Sequence, residues 1–405
     1  MGGTPASSPS PSPLCSAEPP IITAELPLEH HALGYVRRWI QQESTFANMP
    51  PEMLFLILSH LDMADKARLL ATCRYLRRLI EPPLYRFLSP DDTWKSRRRI
   101  KLLETLRERQ DLLPSIRSFR GFFIPTSMYG PDHTPEEVKK HNFRLDGQFE
   151  DEWLATAVPL FTQAVNIRNL DLTGVLNWGK TGRWQILSGI VSNLKLNSFA
   201  LNSSAGGQLD FIPLLRGQPE LTRLELDCPT AEFQGLTTED VPHLAYFKGT
   251  LSQAAEIVPG RPIRKLEVEC VSKDECECLE DSPYAALALS SQAIKEFKMM
   301  VHCEPDNDEV KRMLQLITQH LPNIVHFTAS LPDGVPAEVF LDEIPKLTSL
   351  SHLMLLKFDP DEMPWMSLDA SVDSEDRWSR LCEKLVELCP SLTDIDYTPR
   401  VRLRC

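Results

Sequence analysis

Ile167-Arg168-Asn169-Leu170-Asp171-Leu172 and Leu221-Thr222-Arg223-Leu224-Glu225-Leu226 share one form, apolar-x-x-apolar-x-apolar. Its last positions alternate with period 2, as in a strand that buries one face. The form recurs from Leu196, Ile263, Ile294, Ile324, Leu350 and Leu392. With 42% hydrophobic residues it also arises often by chance, so recurrence alone carries no weight. Three additions give it weight. Proline stands shortly before several copies (Pro219, Pro262, Pro322, Pro390), as if a loop delivered the chain into a strand. Two copies follow helical stripes, Val310, Met313, Leu314, Ile317, Leu321 and Trp378, Leu381, Cys382, Leu385, Leu388. Most copies start 25 to 31 residues apart. Of the two gaps of 42, the first has room for a degenerate unit at Leu244/Phe247 and the second holds an acidic insert. Helix, proline and short strand, iterated, make the unit of a parallel α/β solenoid.

Residues flanking the middle apolar position of each copy would line one face. That track reads Asn169 and Asp171; Arg223, Glu225 and Asp227; Lys265, Glu267 and Glu269; Glu296 and Lys298; His326 and Thr328; His352 and Met354; Asp394 and Asp396. Acids outnumber bases on it. The candidate substrate-binding residues are Asp171, Arg223, Glu225, Asp227, Lys265, Glu267, Glu269, Glu296, Asp394 and Asp396. They would suit a basic protein segment, although plainly solvated strand positions would read the same way.

Upstream lies a different texture, Met49-Pro50-Pro51-Glu52-Met53-Leu54-Phe55-Leu56-Ile57-Leu58-Ser59-His60-Leu61-Asp62. Pro50 and Pro51 suit a first helical turn, and Glu52 favours the positive end of the helix dipole. Leu54, Ile57, Leu58 and Leu61 form one stripe at i, i+3, i+4, i+7. Asp62 can cap a second helix carrying Leu69, Leu70, Cys73 and Leu76, with Arg74, Arg77 and Arg78 near its end. So small a helical pair supplies a core of only about 3–5 kcal/mol, so it needs a neighbour or a partner. A helical hairpin inside a larger domain would show the same periodicity.

Residues 46–90 resemble the F-box, the adaptor-docking motif of cullin–RING ubiquitin ligases. The resemblance rests on Met49-Pro50 (Leu-Pro in most members), Pro51-Glu52, the Leu54/Ile57/Leu58/Leu61 stripe, Cys73-Arg74 and the trailing Leu84-Tyr85-Arg86. Leu76 stands where many members carry Trp. The resemblance implies a helical module whose Met49, Pro50, Pro51, Leu54, Ile57, Leu58, Leu61, Leu69, Leu70, Cys73 and Leu76 bind a Skp-type adaptor and, through it, a cullin scaffold. Residues 114–405 look like the irregular leucine-rich domain that follows an F-box in fungal proteins. The implied fold class is α/β, a small all-α module followed by a leucine-rich-repeat-like solenoid. The implied function is that of a non-enzymatic substrate-recognition subunit of an SCF-type ligase. An F-box scaffold outside any ligase is the alternative.

The remaining features organise around this reading. Residues 1–45 begin with a proline- and serine-rich stretch expected to be disordered, then a short helix over Ala32–Gln42. Residues 91–113 read as a helical linker, with Lys95-Ser96-Arg97-Arg98-Arg99-Ile100-Lys101 on its solvated face or acting as a nuclear import signal. Net charge is +6 over 51–120 and −17 over 121–405, which argues against nucleic acid as a partner. No apolar run is long enough for a membrane span, and no secretion signal is expected. The ten cysteines have no framework spacing, as in reduced thiols of the cytosol or nucleus. Gly174-Val175-Leu176-Asn177-Trp178-Gly179-Lys180-Thr181 matches the P-loop pattern, which keeps a nucleotide-binding alternative on Gly174, Gly179, Lys180 and Thr181. Its context is poor. Trp178 crowds the second glycine, and a buried parallel strand would be apolar throughout. Cys270, Cys276 and Cys278 lack the paired spacing of a zinc site. Neither metal nor cofactor is expected.

Overall fold

The computed structural model describes residues 50–72, 74–88, 102, 104–120, 158–173, 183–202, 209–228, 231–270, 279–301, 306–331, 337–357 and 373–399. The chain divides into two compact units, Met1–Arg77 and Arg78–Cys405. Among the described residues no helix is long and apolar enough to cross a membrane.

In the first unit, helix α1 (Pro51–Ser59) starts behind Pro50, with proline in its first turn and Glu52 beside it. Asp62 caps α2 (Met63–Leu70), as the sequence predicts, accepting from Asp65 N at 2.7 Å. The single second helix expected from Asp62 onward is instead two. It stops at Leu70, the Thr72 hydroxyl donates to the Leu69 carbonyl at 2.7 Å, and α3 (Arg74–Leu84), which contains the boundary between the two units, starts afresh. The interruption places Arg74 at the head of a helix rather than near the tail of one. Pro82 and Pro83 lie in the last turn of α3, where the helix ends.

The second unit is mixed α/β. Among the described residues, eleven strands form one sheet in the order β1 (Phe87–Leu88), β2 (Ser118–Arg120), β3 (Asn169–Leu172), β4 (Ser198–Asn202), β6 (Arg223–Asp227), β8 (Tyr246–Thr250), β9 (Lys265–Cys270), β10 (Glu296–Val301), β11 (His326–Leu331), β12 (His352–Lys357) and β13 (Asp394–Pro399). β5 (Leu209–Asp210) and β7 (Ala231–Glu232) pair separately. Every pairing in the large sheet is parallel. Parallel neighbours need a crossover, and the described ones include α4 (Arg183–Val191), α5 (Ile212–Arg216), α6 (Leu251–Ile257), α7 (Asp281–Leu287), α8 (Asn307–His320), α9 (Ala337–Glu343) and α10 (Asp373–Leu388).

The eight copies of the sequence form coincide with eight strands, each starting two residues after the motif's first residue. That first residue is buried in every copy, from Ile167 at 0% exposed to Leu392 at 6%. The degenerate unit at Leu244 is strand β8. The sheet also extends further upstream than residue 114, since β1 pairs with β2, and Leu106 and Leu113 enter the common core.

One hydrogen-bond device recurs at each described junction. The carbonyl just before a strand accepts two N–H groups from the start of the next. Arg86 O takes Arg117 N and Ser118 N at 2.9 and 3.1 Å, and Ser351 O takes Thr393 N and Asp394 N at the same distances. Hydroxyls reinforce it where Thr222 bonds Asn197 O at 3.0 Å and Thr393 bonds Ser351 O at 3.1 Å. This locks the register, so residues with the same motif position stand in rows across the sheet. One buried row runs Phe119, Leu170, Phe199, Leu224, Phe247, Leu266, Phe297, Phe327, Leu353, with Phe297 and Phe327 stacked 6.0 Å apart.

Buried polar groups hold the connections. Gln218 is fully buried; its carbonyl accepts from Leu196 N at 2.7 Å, and its amide donates to Leu194 O at 2.7 Å and Val191 O at 3.0 Å. Backbone that enters no ladder finds its partners in such side chains.

Candidate functional site

Two surfaces stand out. The first is on α1, a helix apolar nearly all round. Leu54 and Leu58, one turn apart, are 1% and 7% exposed. Met53, Leu56 and Ile57, on another side at i, i+3, i+4, are 50%, 56% and 38% exposed, and Phe55 is 44% exposed. A helix hydrophobic on all sides normally lies inside a core. Here the second apolar face is left in solvent.

The sequence-predicted adaptor residues divide accordingly. Leu54, Leu58 and Leu76 are buried, Leu61, Leu69 and Leu70 half-buried, and Ile57 and Pro50 exposed. Pro51 occupies the first turn of α1, while Met49 and Cys73 fall outside the described residues. Met53, Phe55, Leu56 and Tyr75 are the exposed apolar side chains that the stripe argument passed over. Met53, Leu56, Ile57 and His60 form a second stripe at i, i+3, i+4, i+7, as visible in the sequence as the first.

The second surface is the open face of the sheet, opposite the buried aromatic row. Its charges are zipped together across strands. Arg120 meets Asp171 at 3.1 Å, Lys248 meets Glu269 at 2.9 Å, Lys265 meets Glu296 at 2.9 Å, and Lys298 meets Glu267 at 3.4 Å. Arg223 pairs with Glu225 on its own strand. Arg120 and Lys248 lie outside the sequence track; with them the face carries five bases against eight acids, less acidic than the track but still acidic. All ten candidate substrate residues lie on this sheet, seven of them (Asp171, Arg223, Glu225, Lys265, Glu267, Glu269, Glu296) in the zipped stretch. Asp227 ends β6, Asp394 opens β13, and Asp396 stands in register with Met354.

Tyr246 sits at the centre of the face. The Arg223 guanidinium lies 4.0 Å from its ring centroid, and the Lys265 ammonium 5.8 Å away. Burial raises its pKa well above the usual phenol value, with Glu267 and Glu225 adding to the shift and Arg223 opposing it. Tyr85 is raised too, by burial first and then by Glu81. A raised folded-state pKa means the unfolded phenol ionises first. The stabilising contribution is therefore complete below about pH 10 and lost as pH rises above it. Alkaline spectrophotometric titration should find Tyr85 and Tyr246 among the late-ionising members of the seven tyrosines. Tyr246→Phe should remove one of them; seven coincident ionisations would contradict this environment.

Gly174, Gly179, Lys180 and Thr181 fall outside the described residues, as do Cys276 and Cys278. Strand β3 before the glycine pattern has Asn169 exposed and Asp171 half-buried, unlike a strand covered on both faces. Among the described residues no group of three or more His, Cys, Asp or Glu is arranged to hold a metal.

Residues 46–90 match a family model described as F-box-like, a segment that takes in α1, α2, α3 and β1. No curated protein matches the chain.

Proposed function

We propose that this chain is the substrate-recognition subunit of an SCF-type ubiquitin ligase. The carrying observation is the solvent-facing apolar side of α1, Met53, Leu56 and Ile57, within the segment that matches the F-box-like model. Contiguous exposed apolar side chains on a short helix mark a protein interface. The occupant is a Skp-type adaptor, which tethers the chain to a cullin in the cytosol or nucleus.

The parallel sheet and its crossovers act as a leucine-rich-repeat-like solenoid that holds a protein substrate on its open face. The regular succession of parallel strands, each beside its predecessor, supports that assignment. The chain needs no reacting side chain of its own. It raises the local concentration of target lysines beside a ubiquitin-loaded enzyme, a contribution by proximity.

Affinity purification of the full chain from cells tests this. Adaptor and cullin are expected to co-purify. Adaptor without cullin would replace the ligase reading with that of a scaffold, and neither would overturn both.

A further inference from the structure

The open face changes character at β11. Up to β10, each acid with a described ion pair sits against arginine or lysine, a permanent cation. From β11 the same register row continues as His326, His352 and Asp394. The two imidazoles stack with centroids 4.2 Å apart and planes 28° apart. Asp394 Oδ2 lies 3.1 Å from His352 Nε2, a partner that is charged only when protonated. The Asp394 side chain is 66% exposed and that of His352 45% exposed.

We propose that this row is a seat for an arginine side chain of the captured polypeptide. The guanidinium stacks on the imidazole faces and donates to Asp394. The inference rests on the reading that the target lies on the open face, and it names the chemistry recognised there. A planar guanidinium both stacks on rings and fits a carboxylate, which an ammonium does not. A carboxylate has about four lone-pair sites, so Asp394 accepts the guest without releasing His352. At the acids of β3 to β10 with described ion pairs, an incoming cation must displace a lysine or arginine already in place. At Asp394 it displaces none.

The back of the ring makes the seat sensitive to protons. Ser351 Oγ lies 2.7 Å from His352 Nδ1 and 3.3 Å from Val325 O. With His352 neutral, the Ser351 hydroxyl donates to Nδ1 while Nε2–H donates to Asp394. With His352 protonated, Nδ1–H donates to Ser351, whose hydroxyl turns to Val325 O. Both states are fully bonded, but in the second the imidazolium is itself the cation beside Asp394. The other charged groups on this face of the neighbouring strand β10 are Glu296 and Lys298, each tied to its own partner. Thr328 and Met354, between them, carry no charge. Binding therefore weakens when His352 takes up a proton.

N-acetyl-arginine methylamide is the probe, titrated into the full chain carrying carbon-13 histidine and read at the ring Cε1–H signals. His326 and His352 are expected to shift saturably at about pH 8, with affinity weaker by up to about fivefold near pH 5, the ceiling that an exposed ion pair sets. Asp394→Asn should abolish the response. His352→Gln, which keeps a donor toward Asp394, should retain the His326 shift and lose most of the pH dependence. Equal response at both pH values, persistence in Asp394→Asn, or the same shifts with N-acetyl-glutamate methylamide would overturn the proposal. None of these outcomes bears on adaptor co-purification, and loss of the adaptor would leave this titration unchanged.

Discussion

The Met53→Glu/Ile57→Lys double variant is expected to lose adaptor capture by about a hundredfold or more while melting at the wild-type temperature. Both side chains stand in solvent on α1, so their removal opens no cavity. The new pair is Glu at i and Lys at i+4, the orientation that supports a helix, so the helix itself is not weakened. Two anchors at an interface core, each worth about 2 kcal/mol, account for a loss of that size. Leu54→Ala is the opposite case. Leu54 is 1% exposed, and truncating such a leucine costs about 2–5 kcal/mol of stability. Binding would then fall only because the module unfolds. Surface plasmon resonance against purified adaptor, read beside a thermal melt, separates the two variants. Undiminished capture by the double variant would remove α1 from the interface.

The contrast between these leucines shows where sequence reading stops. Periodicity marks faces of a helix but does not say which one turns inward. On α1 the Leu54/Leu58 side and the Met53/Leu56/Ile57 side are both apolar, and only burial tells them apart. The strands were far more legible, because the motif carries three apolar positions, all buried in the seven copies from Ile167 to Leu350, whose burial the parallel ladder enforces. The exceptions have local causes. Strand β8 lacks the third apolar residue because Gly249 occupies that position, where a Cβ would come within 2.7 Å of Phe247 Cζ and Gln253 Oε1. Strand β2, led by Ile116, likewise has no third apolar residue, since Gly121 follows Arg120. The balance of charge on the open face was not legible either. Lys248 neutralises Glu269 from the neighbouring strand, a pairing that depends on register rather than on either strand's own sequence.

Arg261 was not flagged by any motif, yet Arg261→Met is expected to destabilise the second unit by roughly 3–5 kcal/mol. The chain between β6 and β8 crosses over without a helix in its described part, so its carbonyls need other donors. Arg261, 2% exposed, supplies them. Nε donates to Asp240 O at 3.0 Å, and the two terminal nitrogens reach Ile257 O and Thr237 O. Its own carbonyl accepts from Ser291 N at 2.9 Å, so one residue ties three successive connections together. Gly260 beside it has φ +73, and a Cβ there would lie 2.5 Å from Thr238 Cγ2, so the backbone itself is pressed against the same segment. That segment also contains Val241 at φ 48, a conformation costly for a β-branched residue that persists only when its surroundings impose it. Burial lowers the Arg261 pKa, with Asp240 opposing. Methionine fills the space of the side-chain stem but donates nothing, leaving the carbonyls of Thr237, Asp240 and Ile257 without these bonds. Lysine, with a single point charge instead of a planar fork, should recover only part of the loss. Urea denaturation followed by far-UV circular dichroism measures both variants. A change below about 1 kcal/mol for Arg261→Met would mean that the connection is held by its own turns, and that the strain at Val241 needs no clasp.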